Sequence, residues 1–143
     1  MYILIGIDPD IDKSGVAYKN GNELELMNLK FFDLLEFFEK VLREKGDKEK
    51  LLVVVEAGWL NKGNWHVMKK GSAAINAKIG NNTGRNHETG RKIVEMLEFL
   101  EIQCRLVKPT KSKVNSKFFN KITGVKKSNQ EQRDAYMMIH GIK

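Results

Sequence analysis

The sequence predicts a mixed α/β layered domain, five strands and three helices in the order β-β-β-α-β-α-β-α, with helices on both faces of one sheet. Three observations carry this. Two apolar segments and an alternating one follow each other closely at the start, with a hairpin-type turn between the second and third. A β-branched run without polar alternation, LLVVVEAG, lies further on and suits a strand buried on both faces. Between the later strands the apolar spacing changes from two to three or four, the mark of crossover helices.

Each element has its own local reason. Residues 2–8 form an apolar strand through Ile3, Leu4, Ile5 and Ile7, and Val16-Ala17-Tyr18 form a second after Ser14-Gly15. Asn20-Gly21-Asn22 is a hairpin turn, because Asn and Gly tolerate positive φ. ELELMNLK alternates as a strand with one wet face. From Asp33, Leu34, Leu35, Phe38, Val41 and Leu42 fall on one helical face, ending near Lys45-Gly46. The fourth strand is LLVVVEAG. Residues 58–83 are rich in Gly, Asn and Lys, with at most a short helix around Ala73–Ile79. Ile93, Val94, Leu97 and Leu100 then mark a helix of about sixteen residues from near Thr83. IQCRLVKP is the fifth strand, stopped by Pro109. The segment with Val114, Phe118 and Phe119 has helical spacing, and Asn129 to His140 reads as the last helix. No repeat or linker interrupts the chain, so residues 1–143 read as a single domain.

Composition narrows the class. A hydrophobic fraction of 41% with 30% charged residues suits a soluble domain with a real core. No apolar run approaches the ~20 residues of a membrane span, and no basic leader precedes a long apolar stretch. The single cysteine, Cys104, flanked by Ile102 and Leu106, reads as a buried thiol, and a reducing cytoplasm is the expected location. Charge is unevenly spread. Residues 1–56 hold 8 Lys/Arg against 12 Asp/Glu, whereas residues 57–127 hold 15 against 4. A basic region of that size is the footprint of a polyanion partner, or else a solvated Lys-rich face.

The first and fourth strands both end in a carboxylate, Asp8 and Glu56. If these strands are neighbours, their tips lie about 5 Å apart, and two ionised acids that close repel unless one keeps a proton or a cation intervenes. Neither tip carries Lys or Arg at the adjacent position, so Mg²⁺ or Mn²⁺, which prefer oxygen ligands, is the economical partner. An aspartate capping the turn at Pro9 is the ordinary alternative. NQEQRDAYMMIHG adds further acids. Ala135, Met138 and Ile139 form an apolar stripe, and Glu131 and Asp134 share a face at the helix start. Glu131 as a dipole partner and Asp134 as a solvated residue is the alternative, but a charge beside an apolar stripe is costly without a partner.

GIDPD…SGVAY, VVVEAG and NQEQRDAYMM resemble the three metal-binding blocks of the RuvC-like nucleases in the ribonuclease H-like superfamily, in the same order and over essentially the whole chain. NKGNWHVMKKGSAAINAKIGNNTGRNHETGR resembles the middle segment of the short phage and mobile-element forms. The resemblance implies a ribonuclease H-like fold with Asp8, Glu56 and Asp134 as metal ligands. Glu131 takes a fourth acidic position, where that family usually has Asp or His. The family also usually has Gly at the position of Asp10; Asp tolerates a left-handed turn better than most residues, and Asp10 and Asp12 read as turn residues. Actin-like ATPases begin similarly to GIDPD but need two domains of this type, which 143 residues do not supply.

The implied activity is that of a Holliday-junction resolvase, a structure-selective endonuclease cutting four-way DNA junctions as a homodimer, with the helix from about Thr83 to Leu100 as a candidate dimer surface. Two Mg²⁺ (or Mn²⁺) ions ~3.5–4 Å apart activate water and stabilise the leaving oxygen in such sites. Lys113 resembles a lysine that the family places beside the scissile phosphate. Lys62, Lys69, Lys70, Lys78, Arg85, Arg91, Lys111, Lys126 and Lys127 are candidate phosphate contacts, in company with Lys92, Lys108, Lys117 and Lys121. Trp59 stands three residues after Glu56, where the resembled resolvases carry an aromatic that stacks on a base. Trp65 reads as a loop anchor. His66, His87 and His140 have no zinc-type spacing. The alternatives are a related nuclease acting on RNA–DNA hybrid or branched DNA, and a DNA-binding module of the same fold without catalysis.

Overall fold

Alternation along each strand decides which side chains meet which helices. β1 (Ile3–Asp8), β2 (Ser14–Asn20), β3 (Glu23–Leu29), β4 (Leu51–Glu56) and β5 (Gln103–Val107) form one sheet in the order β3-β2-β1-β4-β5. The computed structural model describes residues 2–61 and 73–142. β1 pairs antiparallel with β2, and β2 with β3; β1 and β4 are parallel, as are β4 and β5. The hairpin turn between β2 and β3 puts Gly21 at φ 62°, a value a Cβ makes costly.

One face of the sheet presents Ile5, Ile7, Val16, Tyr18, Val53 and Val55. They pack on Leu34, Phe38 and Val41 of α1 (Phe31–Lys45) and on Ile93, Met96 and Leu97 of α2 (Ala73–Phe99). The opposite face presents Leu4, Ala17, Leu52 and Val54 to Phe119 of α3 (Ser116–Thr123) and to Ala135, Tyr136 and Ile139, on or just past α4 (Gln130–Met137). Phe119 and Tyr136 meet edge to face, with centroids 5.3 Å apart. This is the mixed five-stranded α/β arrangement with helices on both faces that the sequence predicts.

Caps fix the short helices. Asn115 accepts from the Phe118 N–H at 2.8 Å to start α3, and Gly124 at φ 79° ends it. Asn129 and Gln132 form a reciprocal capping box on α4. Two boundaries differ from the sequence expectation. α2 is one 27-residue helix, not a short piece followed by a separate one from Thr83. Gly80 and Gly84 read as loop punctuation, and each weakens a helix by about 1 kcal/mol. Extending a formed helix nonetheless adds a hydrogen bond per residue. The last helix is shorter than expected, ending at Met137 with a turn through His140. Among the described residues, no helix is long and apolar enough to cross a membrane.

Candidate active site

The parity that buries Leu4 and Leu52 against α4 also aims the last residue of each strand. Asp8 shares its parity with Leu4, and Glu56 with Leu52 and Val54, so both strand-end carboxylates stand on the α4 face. The register pairs Ile7 with Val55, which sets Asp8 beside Glu56 one position further on. α4 then crosses the sheet at very short range. A Cβ on Gly6 would collide with the Ala135 carbonyl, and one on Gly15, the pairing partner of Asp8, with the Glu131 backbone. These two glycines let the helix backbone rest on the strands, and that approach carries Asp134 to the acidic pair.

The acids act on one another's charge. Burial, then the charges of Glu56 and Asp134, push the Asp8 carboxyl up to about 8. Glu56 is raised as well, chiefly by burial, with Asp134 adding to the rise and Lys113 and Asp8 opposing it. A proton held on Asp8 relieves the repulsion. Glu131 is exposed and is the least of the charges acting on Asp8, so it stands at the edge of the cluster.

A positive charge does reach the acids, from a segment remote from either strand tip. The Lys113 ammonium lies 2.8 Å from Asp134 Oδ2, with the two side chains 46% and 13% exposed. It lowers the carboxyls of Glu56 and Asp8, and its own pKa is raised: burial opposes its charge, but the Asp134, Glu56 and Asp8 carboxylates outweigh that. The other oxygen of Asp134 accepts from Gln130 Nε2 at 2.8 Å. Gln130 Oε1 in turn accepts from Arg133 Nη2 at 3.1 Å. Arg133 also donates from Nε to the Val114 carbonyl at 2.8 Å and from Nη1 to the Ser128 carbonyl at 2.9 Å. Gln130 and Arg133 lie within the NQEQRDAYMM block but are not among the site residues that the sequence points to. The i,i+4 spacing of Gln130 and Asp134 is the one signal present.

Asp8 and Glu56 open onto a cleft of ≈ 540 Å³. Its second wall is the 109–113 loop, with Pro109, Thr110, Lys111 and Lys113, and its third is Thr83, Asn86 and His87 of α2. Asn86 Oδ1 accepts from the Ile11 N–H at 2.9 Å, tying the turn after β1 to that helix. In the same turn Asp10 accepts from the Asp12 N–H, as expected of turn residues. On the far side of Lys113 a recess of ≈ 350 Å³ is lined by Asp134, Val107, Met137 and Met138.

Trp59 lines the cleft, but its ring also anchors the chain. A Cβ on Gly90 would strike the ring, and the Arg91 guanidinium stands 5.6 Å from its centroid. Trp59 therefore anchors the chain as well as lining the cleft; Trp65, expected as a loop anchor, and His66 lie outside the described residues. So do the candidate phosphate contacts Lys62, Lys69 and Lys70. Lys78, Arg85 and Arg91 are exposed along α2, Arg91 with Glu88 at 3.7 Å, and Lys92 pairs with Glu95 at 3.0 Å. Lys111 lines the cleft, whereas Lys126 and Lys127 are exposed beyond α3. Cys104 packs against the first core, and burial pushes its thiol up to about 11, which suits an inert group.

The donor set is all oxygen and negative, which fits a hard divalent cation, and the forced protonation of Asp8 is the strain such an ion relieves. As the side chains stand, no group of three or more His, Cys, Asp and Glu among the described residues is close enough together to hold an ion. The Lys113 ammonium supplies the positive charge in that arrangement.

Comparison with known proteins gives likeness of fold. No family model matches the chain, and no curated protein sequence does. Among solved structures, RuvC of T. thermophilus in complex with a Holliday junction substrate superposes with a TM-score of 0.54 at 13% identity, covering 94% of this chain and 88% of that one. YeaZ from Pseudomonas aeruginosa gives 0.41 at 12% identity, covering 76% of this chain and 43% of its own.

Proposed function

We propose that this chain is a metal-dependent endonuclease that hydrolyses phosphodiesters of four-way DNA junctions, acting as a homodimer. The observation that carries the reading is that Asp8 and Glu56, at the neighbouring ends of β1 and β4, line an open cleft together with Lys113, whose ammonium pairs with Asp134 of α4. The basic stretch of residues 57–127, with 15 Lys/Arg against 4 acids, supports a polyanionic substrate. The fold is that of the solved junction-bound RuvC. Mg²⁺ or Mn²⁺, held by Asp8, Glu56 and Asp134 with Glu131 at the rim, would supply Lewis-acid stabilisation of the phosphorane charge and an activated water.

The chain's own residues do the rest. Asp8 and Glu56 hold the negative charge that attracts the cation and orient the hydrogen bonds of the attacking water. Lys113, part-exposed between the cleft and the recess, turns from Asp134 to a phosphate oxygen. Lys111 and Thr110 contact the neighbouring phosphates from the same loop, and Trp59 with Arg91 gives a flat surface for a base. Phe99, 84% exposed at the end of α2, fits that helix as the dimer surface.

The test is to incubate the protein with a synthetic four-way junction, a linear duplex and an RNA–DNA hybrid, with and without Mg²⁺. Paired symmetric nicks in the junction, requiring Mg²⁺ and abolished by Asp134→Asn, are expected. Cleavage of the hybrid instead identifies a ribonuclease, and salt-sensitive junction binding without nicks identifies a binding module.

A further inference from the structure

Asp134 differs from its two partners in how it is held. Asp8 and Glu56 sit on strand ends and lean on each other, whereas both oxygens of Asp134 are engaged by outside donors, Gln130 on Oδ1 and Lys113 on Oδ2. We infer that Gln130 and Arg133 are positioning residues that present one chosen oxygen of Asp134 to the acidic pair and keep Lys113 in step with it. The inference rests on the nuclease reading above and adds to it two residues outside the charged cluster.

The hydrogen bonds give the logic. A carboxamide has one donor end and one acceptor end, so the Arg133 donor on Gln130 Oε1 forces Nε2 towards Asp134. With Gln130 already on Oδ1, Oδ2 is the oxygen whose cation, the Lys113 ammonium, can be exchanged for another. Asp134 then acts through one oxygen. The same guanidinium donates to the Val114 carbonyl, one residue from Lys113, and to Ser128 at the approach to α4. One planar fork thus ties the loop that carries the lysine to the helix that carries the acid. Lysine, with a single ammonium on a flexible stem, cannot hold those positions together.

The neighbouring cap gives an internal control. Asn129 and Gln132 bond to Asn28 Oδ1 at 2.7 and 2.9 Å and close the capping box, but neither touches Asp134 by any bond seen here. Asn129→Ala should therefore lower the metal-free Tm and leave metal binding alone. Gln130→Met, similar in shape but without the amide, should raise the Mn²⁺ concentration at half-maximal thermal shift about tenfold, the lower end of the effect of removing a partner behind a metal ligand. Arg133→Lys should move it the same way. Junction cleavage by Gln130→Met should lose kcat at low Mn²⁺, recover it at high Mn²⁺, and keep its KM for the junction. A Mn²⁺ midpoint within twofold of wild type in Gln130→Met, or an equal displacement in Asn129→Ala, overturns the inference while leaving the nuclease reading intact. A wild-type protein with no Mn²⁺ response, indistinguishable from Asp134→Asn, removes the reading and this inference together.

Discussion

The two faces of the sheet are built from the same five strands and serve opposite ends. On the α1/α2 face the core is built from hydrophobic strand residues, and Phe38, Leu34, Ile93 and Leu97 are fully buried. The α3/α4 face buries fewer residues and carries two glycines under its helix, and its strand rows finish in carboxylates. The contrast shows where stability is stored. The dry face tolerates repulsion among acids elsewhere, and the close-set face spends some of that stability to bring charges together.

The comparison breaks most sharply if the dry face is hollowed. Phe38→Ala should destabilise by about 3–5 kcal/mol, read by urea unfolding, while whatever Mg²⁺-induced stabilisation the wild type shows persists under conditions where the variant is folded. An equal loss of both would mean the two faces do not divide the labour as described.

Asp8→Asn should act in the reverse sense, cutting junction cleavage by at least about 10²-fold, the scale of losing one catalytic electrostatic group, while raising the Tm of the metal-free protein. The pH dependence carries the same sign. Asp8 binds its proton more tightly folded, at about 8, than at its ordinary 3.8, so wild-type metal-free stability should fall as pH rises from 4 to 8 and level off above. Melting curves across that range should flatten in Asp8→Asn. A wild type whose Tm climbs over the same window would refute the strain.

Gly15→Ala tests the approach of α4. Its Cβ would land on the Glu131 backbone, so a loss of about 1–3 kcal/mol is expected from overpacking, together with weaker metal binding because Asp134 rides on that helix. Gly80→Ala, which meets nothing, should instead stabilise α2 by up to about 1 kcal/mol. The smallest effect belongs to Arg91→Ala, which removes the cation over Trp59 and should cost about 0.5–1 kcal/mol.

Most of the architecture is legible because strands announce their faces. Asp8 and Glu56 fall on the parity of Leu4 and Leu52, and parity survives any tertiary adjustment. The adjacency of β1 and β4, which the sequence leaves as a supposition, is met in the register. Lys113 is different. Its loop has no periodicity, and it meets Asp134 because Arg133 pins the Val114 carbonyl, a contact between positions 19 residues apart that no local pattern encodes. Gln130 hides for another reason, since an amide four residues before an acid on a helix is commonplace unless the helix is known to lie over other acids. The continuity of α2 through Gly80 and Gly84 shows local punctuation overridden by propagation.

The order of segments along the polypeptide has a consequence for biogenesis. Asn28 is clasped by Asn129 and Gln132, 101 and 104 positions away, and α4 settles across β1 and β2 through these clasps together with its apolar contacts to Leu4 and Ala17. On the nuclease reading, a polypeptide still emerging from the ribosome would hold Asp8 and Glu56 without Asp134 and would not yet cut nucleic acid. Competence would then wait until α4 seats.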